Sequence, residues 1–321
     1  MTLRWGILST AAAARPIVRA ARAVEGVEVV AVASRDAARA EAFAGEHGIP
    51  RAHGSYEALL ADPEVDAVYV PLPNALHVPW SIRALDAGRH VLCEKPLTRS
   101  AADAEAAFDA ADRAGRVLME GMMWRLHPRV DALGRLGREV IGEPRTVRAT
   151  FRFTLPDGPD VRRDPKLDGG ALMDVGCYCV SALRLLCGEP ERVAAEAVPG
   201  PTGVDERVVA TLRFRGDVVG TLDCAMDTPP HASLELVGRA GRLVVTDPWP
   251  VPARVTIDGR EIAMPEPNPD PFVVELEEFR DAVREGRPPR LGRDDAVAQA
   301  RVLKALARAM ETTAVVDLTA R

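Results

Sequence analysis

Arg89-His90-Val91-Leu92-Cys93-Glu94-Lys95-Pro96 is a short apolar run that ends in a glutamate, a lysine and a proline. A brief apolar stretch bounded by polar residues suits a strand buried on both faces. Working outward, Leu3 to Leu8, Val27 to Ala33, Ala67 to Val70 and Val117 to Glu120 have similar strand composition. Between these runs, Ala12 to Val24, Ala37 to His47, Leu76 to Ala87 and Ala101 to Ala114 favour helix, most of them through their alanine content. Strand and helix in strict turn imply a parallel sheet covered on both faces. Right-handed crossovers bring the carboxyl ends of its strands to one crevice, where open sheets bind ligands. Lys95 is expected at that end, with Pro96 restricting it to an extended backbone. The alternative reading of Lys95 is a solvated strand cap.

The first turn reads Gly6-Ile7-Leu8-Ser9-Thr10-Ala11-Ala12-Ala13-Ala14. The GxGxxG pattern is absent, but Ser9, Ala11 and Ala14 occupy its three positions and are all small. Gly6, Ser9, Thr10 and Ala11 therefore remain candidates to admit a pyrophosphate to the helix amides, with less freedom in φ than glycine would give. Twenty residues past Ala14 the second strand ends in Ser34-Arg35. An acid would usually hold a ribose 2′-hydroxyl there, whereas a hydroxyl and a guanidinium suit a 2′-phosphate. NADP is thus expected in preference to NAD. Asp36 reads as the N-cap of the next helix.

From about Glu143 the pattern becomes antiparallel, with strands expected at Arg145 to Phe153, Arg207 to Phe214, Val218 to Met226, Ala232 to Val237 and Arg242 to Thr246. Arg215-Gly216-Asp217 and Asp258-Gly259 read as hairpin turns. The proline-rich segment from Pro248 to Pro271 reads as a connection with a short hairpin. Helices are expected at Pro271 to Glu285 and Asp294 to Glu311, then a last strand at Val315 to Leu318. Within this half, Gly169-Gly170 opens a helix expected to run through Leu186. It sets Asp174 and Tyr178 at i and i+4, on one face. A first-turn acid and a core aromatic are the plainer readings of that pair.

The chain has 321 residues, 47% of them hydrophobic, enough for two domains with sizeable cores. A formal charge of −6 gives no electrostatic reason to expect nucleic acid or an anionic membrane as partner, so a small molecule is expected. Five cysteines without CxxC spacing point to a reduced, cytoplasmic protein. No His, Cys and carboxylate cluster has metal-ligand spacing, and no metal is expected. The N-terminus does not read as an export signal, and no apolar run reads as long enough to span a bilayer.

Together these residues resemble the glucose-fructose oxidoreductase and inositol dehydrogenase (Gfo/Idh/MocA) family over nearly the whole chain. The motifs are Pro71-Leu72-Pro73-Asn74-Ala75-Leu76-His77, Glu94-Lys95-Pro96 and Gly169-Gly170 to Tyr178. Glu120-Gly121-Met122-Met123-Trp124-Arg125-Leu126-His127-Pro128 resembles the branch of dihydrodiol dehydrogenases and NADP-dependent D-xylose dehydrogenases. Many relatives carry histidine at Tyr178, and the tyrosine is typical of that branch. The resemblance implies a Rossmann domain at 1–122, followed at 123–321 by an α+β domain with an open-faced, mainly antiparallel sheet. It implies further that the closing helices pack back on the first domain and that a homodimer or higher homo-oligomer forms through the second sheet.

The implied activity is hydride transfer between NADP and a carbinol or carbonyl carbon of a sugar or cyclic polyol. A biosynthetic ketosugar reductase and an NADP(H)-sensing regulator are the alternatives. By the same resemblance Lys95, Tyr178 and Asp174 are the catalytic candidates. Pro71, Pro73, Asn74, His77, Glu94 and Lys95 join the turn residues and Ser34-Arg35 at the cofactor. Trp124, Arg125 and Arg162 join Asp174 and Tyr178 at the substrate. For His77 a helix start with a backbone partner stays open, for Arg125 an ion pair, and for Arg162 a solvated loop.

Overall fold

The computed structural model describes residues 2–249, 251, 254–264 and 268–319. The chain forms two compact units, Met1–Leu126 with Pro269–Val297 and His127–Asn268 with Ala298–Arg321. The first begins β1 (Leu3–Leu8), α1 (Ala14–Ala21), β2 (Val27–Ala33), α2 (Ala37–His47), β3 (Arg51–His53), α3 (Tyr56–Leu60) and β4 (Ala67–Val70). It continues with α4 (His77–Asp86), β5 (His90–Glu94), α5 (Ala101–Ala114) and β6 (Leu118–Gly121). All strand pairs are parallel, in the order β3-β2-β1-β4-β5-β6 of a Rossmann sheet. The central strands read as continuous apolar runs because both their faces are covered: Ala67 to Val70 and Val91 to Cys93 are all fully buried.

Helix ends follow their capping residues. Asp36 and Ser100 accept from the amides of Arg39 and Asp103, and left-handed Gly48 and Gly115 end α2 and α5. The alanine-rich stretch after β1 is helical only over α1, because Ala11 and Ala12 turn the chain before it. Sequence periodicity did not single out β3 or α3. The edge strand β3 is polar and is held by side chains, with Asp62 Oδ2 at 2.9 Å from Arg51 Nε and 3.0 Å from His53 Nε2.

The second unit contains α6 (Pro128–Ile141), β7 (Pro144–Thr154), α7 (Cys177–Cys187), β8 (Pro190–Pro199), β9 (Asp205–Phe214) and β10 (Val219–Ala225). It goes on through β11 (Asp227–Gly238), β12 (Arg242–Thr246), β13 (Arg254–Ile257) and β14 (Arg260–Ile262). The chain returns to the first unit in α8 (Pro271–Glu285), where Phe279 packs its ring 4.8 Å from Trp5, and ends with α9 (Arg293–Thr312) and β15 (Val316–Asp317). Among the described residues the second sheet has nine strands in the order β14-β13-β12-β11-β7-β10-β9-β8-β15.

Its pairs are antiparallel except β7 with β10, which run parallel because the chain reaches β10 only after the α7, β8 and β9 excursion. Along β9, Val208, Ala210, Leu212 and Phe214 are buried while Arg207, Val209 and Thr211 are exposed, so one face is packed and the other open. Polar pairs such as Arg152 with Asp223 and Arg148 with Glu235 lie across the strands of this sheet.

Two sequence expectations change here, and two elements are added. The helix expected from the glycine pair through Leu186 is split into a π turn at Leu172–Gly176 and α7. The strand β8 and helix α6 were not singled out, since β8 is rich in alanine and proline and α6 contains two glycines, both weak propensities. Pro165–Cys187, in which no membrane span was expected, does reach the length and mean hydropathy (1.4) of one, but 78% of its most apolar window is buried in the protein. Of the segment from Pro248 to Pro271, the Asp258-Gly259 turn joins β13 to β14 with both residues at positive φ, while residues 250, 252–253 and 265–267 lie outside the described residues.

Candidate active site

In the first unit the turn after β1 is tight. A Cβ on Gly6 would stand 2.5 Å from Leu59, Ser9 has φ 154°, and Ser9 Oγ accepts from the Ala11 amide at 2.9 Å. No side chain caps α1, so its first amides are presented by a loop of small residues that includes Thr10 and Ala11. Such a helix start suits a phosphate. At the end of β2, Ser34 is buried with its Oγ accepting from the Asp36 amide at 3.2 Å, and Arg35 beside it is exposed. Asp36 is engaged as the α2 cap, which leaves Ser34 and Arg35 as the groups that fit a 2′-phosphate. The Arg35 charge also acts on the buried Tyr56 phenol, where it opposes the upward pull of burial.

Beyond β4, Pro71 is buried, Pro73 and Asn74 are half-buried, and a 3-10 turn at Asn74–Leu76 leads into α4. His77 does not face open space. It is 1% exposed, with Nδ1 2.8 Å from the Pro96 carbonyl and Nε2 2.7 Å from the Leu72 carbonyl. Only an imidazolium would donate to both, yet burial drives its pKa down to about 4, against which those two bonds pull weakly. The neutral ring therefore packs between the turn after β4 and the segment after β5 and donates to one of the two carbonyls.

At the end of β5 the Glu94 carboxylate takes a donor on each oxygen: the Tyr69 hydroxyl on Oε1 and the Lys95 amide on Oε2, the latter at 3.3 Å. Glu120 Oε1 accepts from the Leu97 amide at 2.8 Å, so the residues either side of Pro96 are pinned and Lys95 follows a fixed backbone. Trp124 is buried in a 3-10 turn at Met123–Leu126, and Arg125 there pairs with Asp295 at 3.4 Å. The ion-pair reading of Arg125 is therefore present in the structure.

In the second unit the glycine pair is required sterically. A Cβ on Gly169 would lie 2.4 Å from the Arg162 carbonyl, and one on Gly170, at φ +118°, 2.1 Å from Asp205. The π turn that follows carries Asp174, and Tyr178 opens α7. Wider turns of this kind occur frequently at functional sites. Arg162 is held by Asp160 through two hydrogen bonds of 2.9 and 2.8 Å, places Nη1 3.5 Å from Asp174, and lies 5.5 Å over the Phe153 ring. Tyr178 is 6% exposed; its ring meets Phe151 edge-on at 5.5 Å and Trp249 at 5.5 Å. This unit thus assembles Asp174, Tyr178 and Arg162 with three aromatic rings. Phe151, Phe153, Trp249, Tyr69 and Asp205 were missed in sequence. Their only sequence signal was aromatic or acidic identity within strands or a segment read as connection.

Residues 3–122 match the oxidoreductase family with NAD-binding Rossmann fold (GFO/IDH/MocA), and residues 134–244 match the GFO/IDH/MocA C-terminal domain. The chain is 42% identical to D-xylose 1-dehydrogenase (NADP(+)) 2 of Haloferax volcanii, over 98% of this chain and 100% of that protein. It is 36% identical to trans-1,2-dihydrobenzene-1,2-diol dehydrogenase of Danio rerio, covering 84% of this chain and 82% of the relative. Among solved structures it is similar to a 3-ketoreductase from Actinomadura kijaniata in complex with NADP and TDP-benzene, with TM-score 0.89, 33% identity, and coverage of 96% and 98% of the two chains.

Proposed function

Because the chain belongs to the GFO/IDH/MocA oxidoreductase family, we propose that it is an NADP-dependent dehydrogenase or reductase of a sugar or cyclic polyol, with Tyr178, Lys95 and Asp174 as its catalytic groups. The observation that carries this reading is the second unit's cluster, in which a phenol ringed by Phe151 and Trp249 opens the helix whose preceding π turn bears Asp174 in contact with Arg162. Aromatic walls beside a few polar groups suit a hydroxylated ring with apolar C–H faces.

When bound, NADP(H) accepts or supplies the hydride. The chain's own residues manage the proton. Tyr178 takes or returns the proton of the reacting hydroxyl or carbonyl oxygen. A free phenol, with pKa about 10, is a poor base near neutrality, and Lys95 supplies the positive charge that favours the phenolate and the developing oxyanion. Asp174 orients the substrate hydroxyl, with Arg162 fixing the carboxylate. Ser34 and Arg35 hold the 2′-phosphate, and Pro71, Pro73 and Asn74 shape the backbone beside the nicotinamide half, with His77 packed behind that turn. Trp124 acts through packing and Arg125 through its ion pair rather than by touching substrate.

The open face of the nine-stranded sheet, with Val209 55% exposed, is the surface through which two copies pair. The protein acts in the cytoplasm, where reduced thiols such as its five cysteines persist. Following NADPH absorbance with a panel of aldoses, ketoses and cyclic diols tests the function. Turnover of a sugar or diol is expected, and reduction confined to nucleotide-linked ketosugars would favour the biosynthetic reductase. No turnover of any of them would contradict the enzyme reading and favour a sensor.

A further inference from the structure

Glu275 on α8 is 1% exposed, and among the described residues its Oε1 is the buried carboxyl oxygen that has no hydrogen-bond partner. It lies beside a strand position that carries no side chain. A Cβ on Gly121 would stand 3.6 Å from Glu275 Oε1, 3.6 Å from Glu94 Cα and 3.1 Å from the Cys93 carbonyl. Gly121 is the register partner of Glu94 in the parallel β5–β6 pair, so Glu275 reaches the end of β6 at the bare position next to Glu94. A leucine in place of Glu275 would fill the same space without desolvating a polar group, whereas an unpaired buried carboxyl is costly.

We propose that Glu275 is a positioning residue for the Glu94-Lys95-Pro96 segment: beside Gly121 it backs Glu94 and fixes the direction in which that carboxylate, and the lysine after it, face the coenzyme. The proposal rests on the coenzyme reading given above. Glu94 carries the charge, since Tyr69 and the Lys95 amide donate to it. Burial first, and the Glu94 charge second, hold the Glu275 carboxyl well above the usual carboxylate range, so it backs Glu94 as a neutral acid. The buried Tyr69 phenol on β4 is in turn raised by burial, by Glu94 and by Glu275. Several other charges near this space are engaged elsewhere: Glu120 with the Leu97 amide, Glu278 with Arg287, Arg280 with Asp281, Arg125 with Asp295, and Arg15 of α1 with Glu46. Raising the pH places a second negative charge behind Glu94 and disturbs it.

Fluorescence titration of NADPH into the full chain across pH tests this with Glu275→Leu and Glu275→Gln. Glu275→Leu is expected to weaken binding about tenfold. Glu275→Gln, which keeps the shape and the neutrality, recovers most of that loss and holds its affinity at alkaline pH where the parent declines. Parent-like binding by Glu275→Leu, or a Glu275→Gln profile that declines as the parent's does, overturns the proposal. Should Glu275→Leu not fold, the pH comparison between Glu275→Gln and the parent decides alone. A parent that fails to bind NADPH at all overturns the coenzyme reading and the proposal with it, whereas the variant outcomes bear on Glu275 only.

Discussion

Asp205 on β9 accepts a hydrogen bond from the Leu172 amide at 2.7 Å, tying the sheet to the first turn of the segment that carries Asp174 and Tyr178. Because Gly170 enters this turn at φ +118° with no room for a Cβ beside Asp205, the glycine and the aspartate are fitted to each other. Asp205→Ala leaves the turn amide without its acceptor. It is expected to cost about 1–2 kcal/mol in chemical denaturation and to lower turnover while NADPH affinity stays near the parent's. Unchanged stability and turnover would show that the turn holds itself.

Coenzyme choice is expected to reside in the two residues ending β2. Arg35→Ala removes the exposed guanidinium that fits a 2′-phosphate and should weaken NADPH about tenfold or more while leaving NADH nearly unaffected. Titration of both coenzymes checks this. An unchanged preference would move the selectivity elsewhere.

Acid sensitivity follows from one buried histidine, His77, and one half-buried histidine, His90. Burial pushes His77 and His90 down to about 4, and His90 Nδ1 accepts from the Val117 amide, a bond only the unprotonated nitrogen can make. In the unfolded chain both protonate near their ordinary pKa of 6.5. The unfolded state therefore binds more protons between those values, and stability is full above about pH 6.5 and lost as pH falls towards about 4. For His77 the loss by about pH 5 is on the order of 2 kcal/mol. Denaturation of the parent and His77→Gln at about pH 7 and about pH 5 should show a smaller fall in the variant. Equal falls would contradict it.

The elements legible in sequence are those with an uninterrupted signal. β1, β2, β4, α2, α5 and α8 fall at the expected residues because their apolar runs or caps are unambiguous. β3 lacks an apolar run and depends on Asp62, a partner close in space but further along the chain, which no local pattern reveals. The π turn was read as α-helix because periodicity does not report how Asp205 and Gly170 constrain its start. Lys95, Asp174 and Tyr178 were legible because each sits in a motif with a steric punctuation mark, Pro96 or the glycine pair. Phe151 and Trp249 were not. The sheet and the segment after β12 bring them to Tyr178 only in three dimensions. His77 was legible as part of a motif, while its burial between two carbonyls was not.

The steady-state turnover of Tyr178→Phe, set beside its NADPH dissociation constant, tests the central assignment most directly. Removing one hydroxyl keeps the ring against Phe151 and Trp249 but deletes the proton-transfer group, so turnover should fall about a hundredfold or more with NADPH affinity essentially unchanged. Turnover close to the parent's would contradict the assignment of Tyr178 as the acid/base.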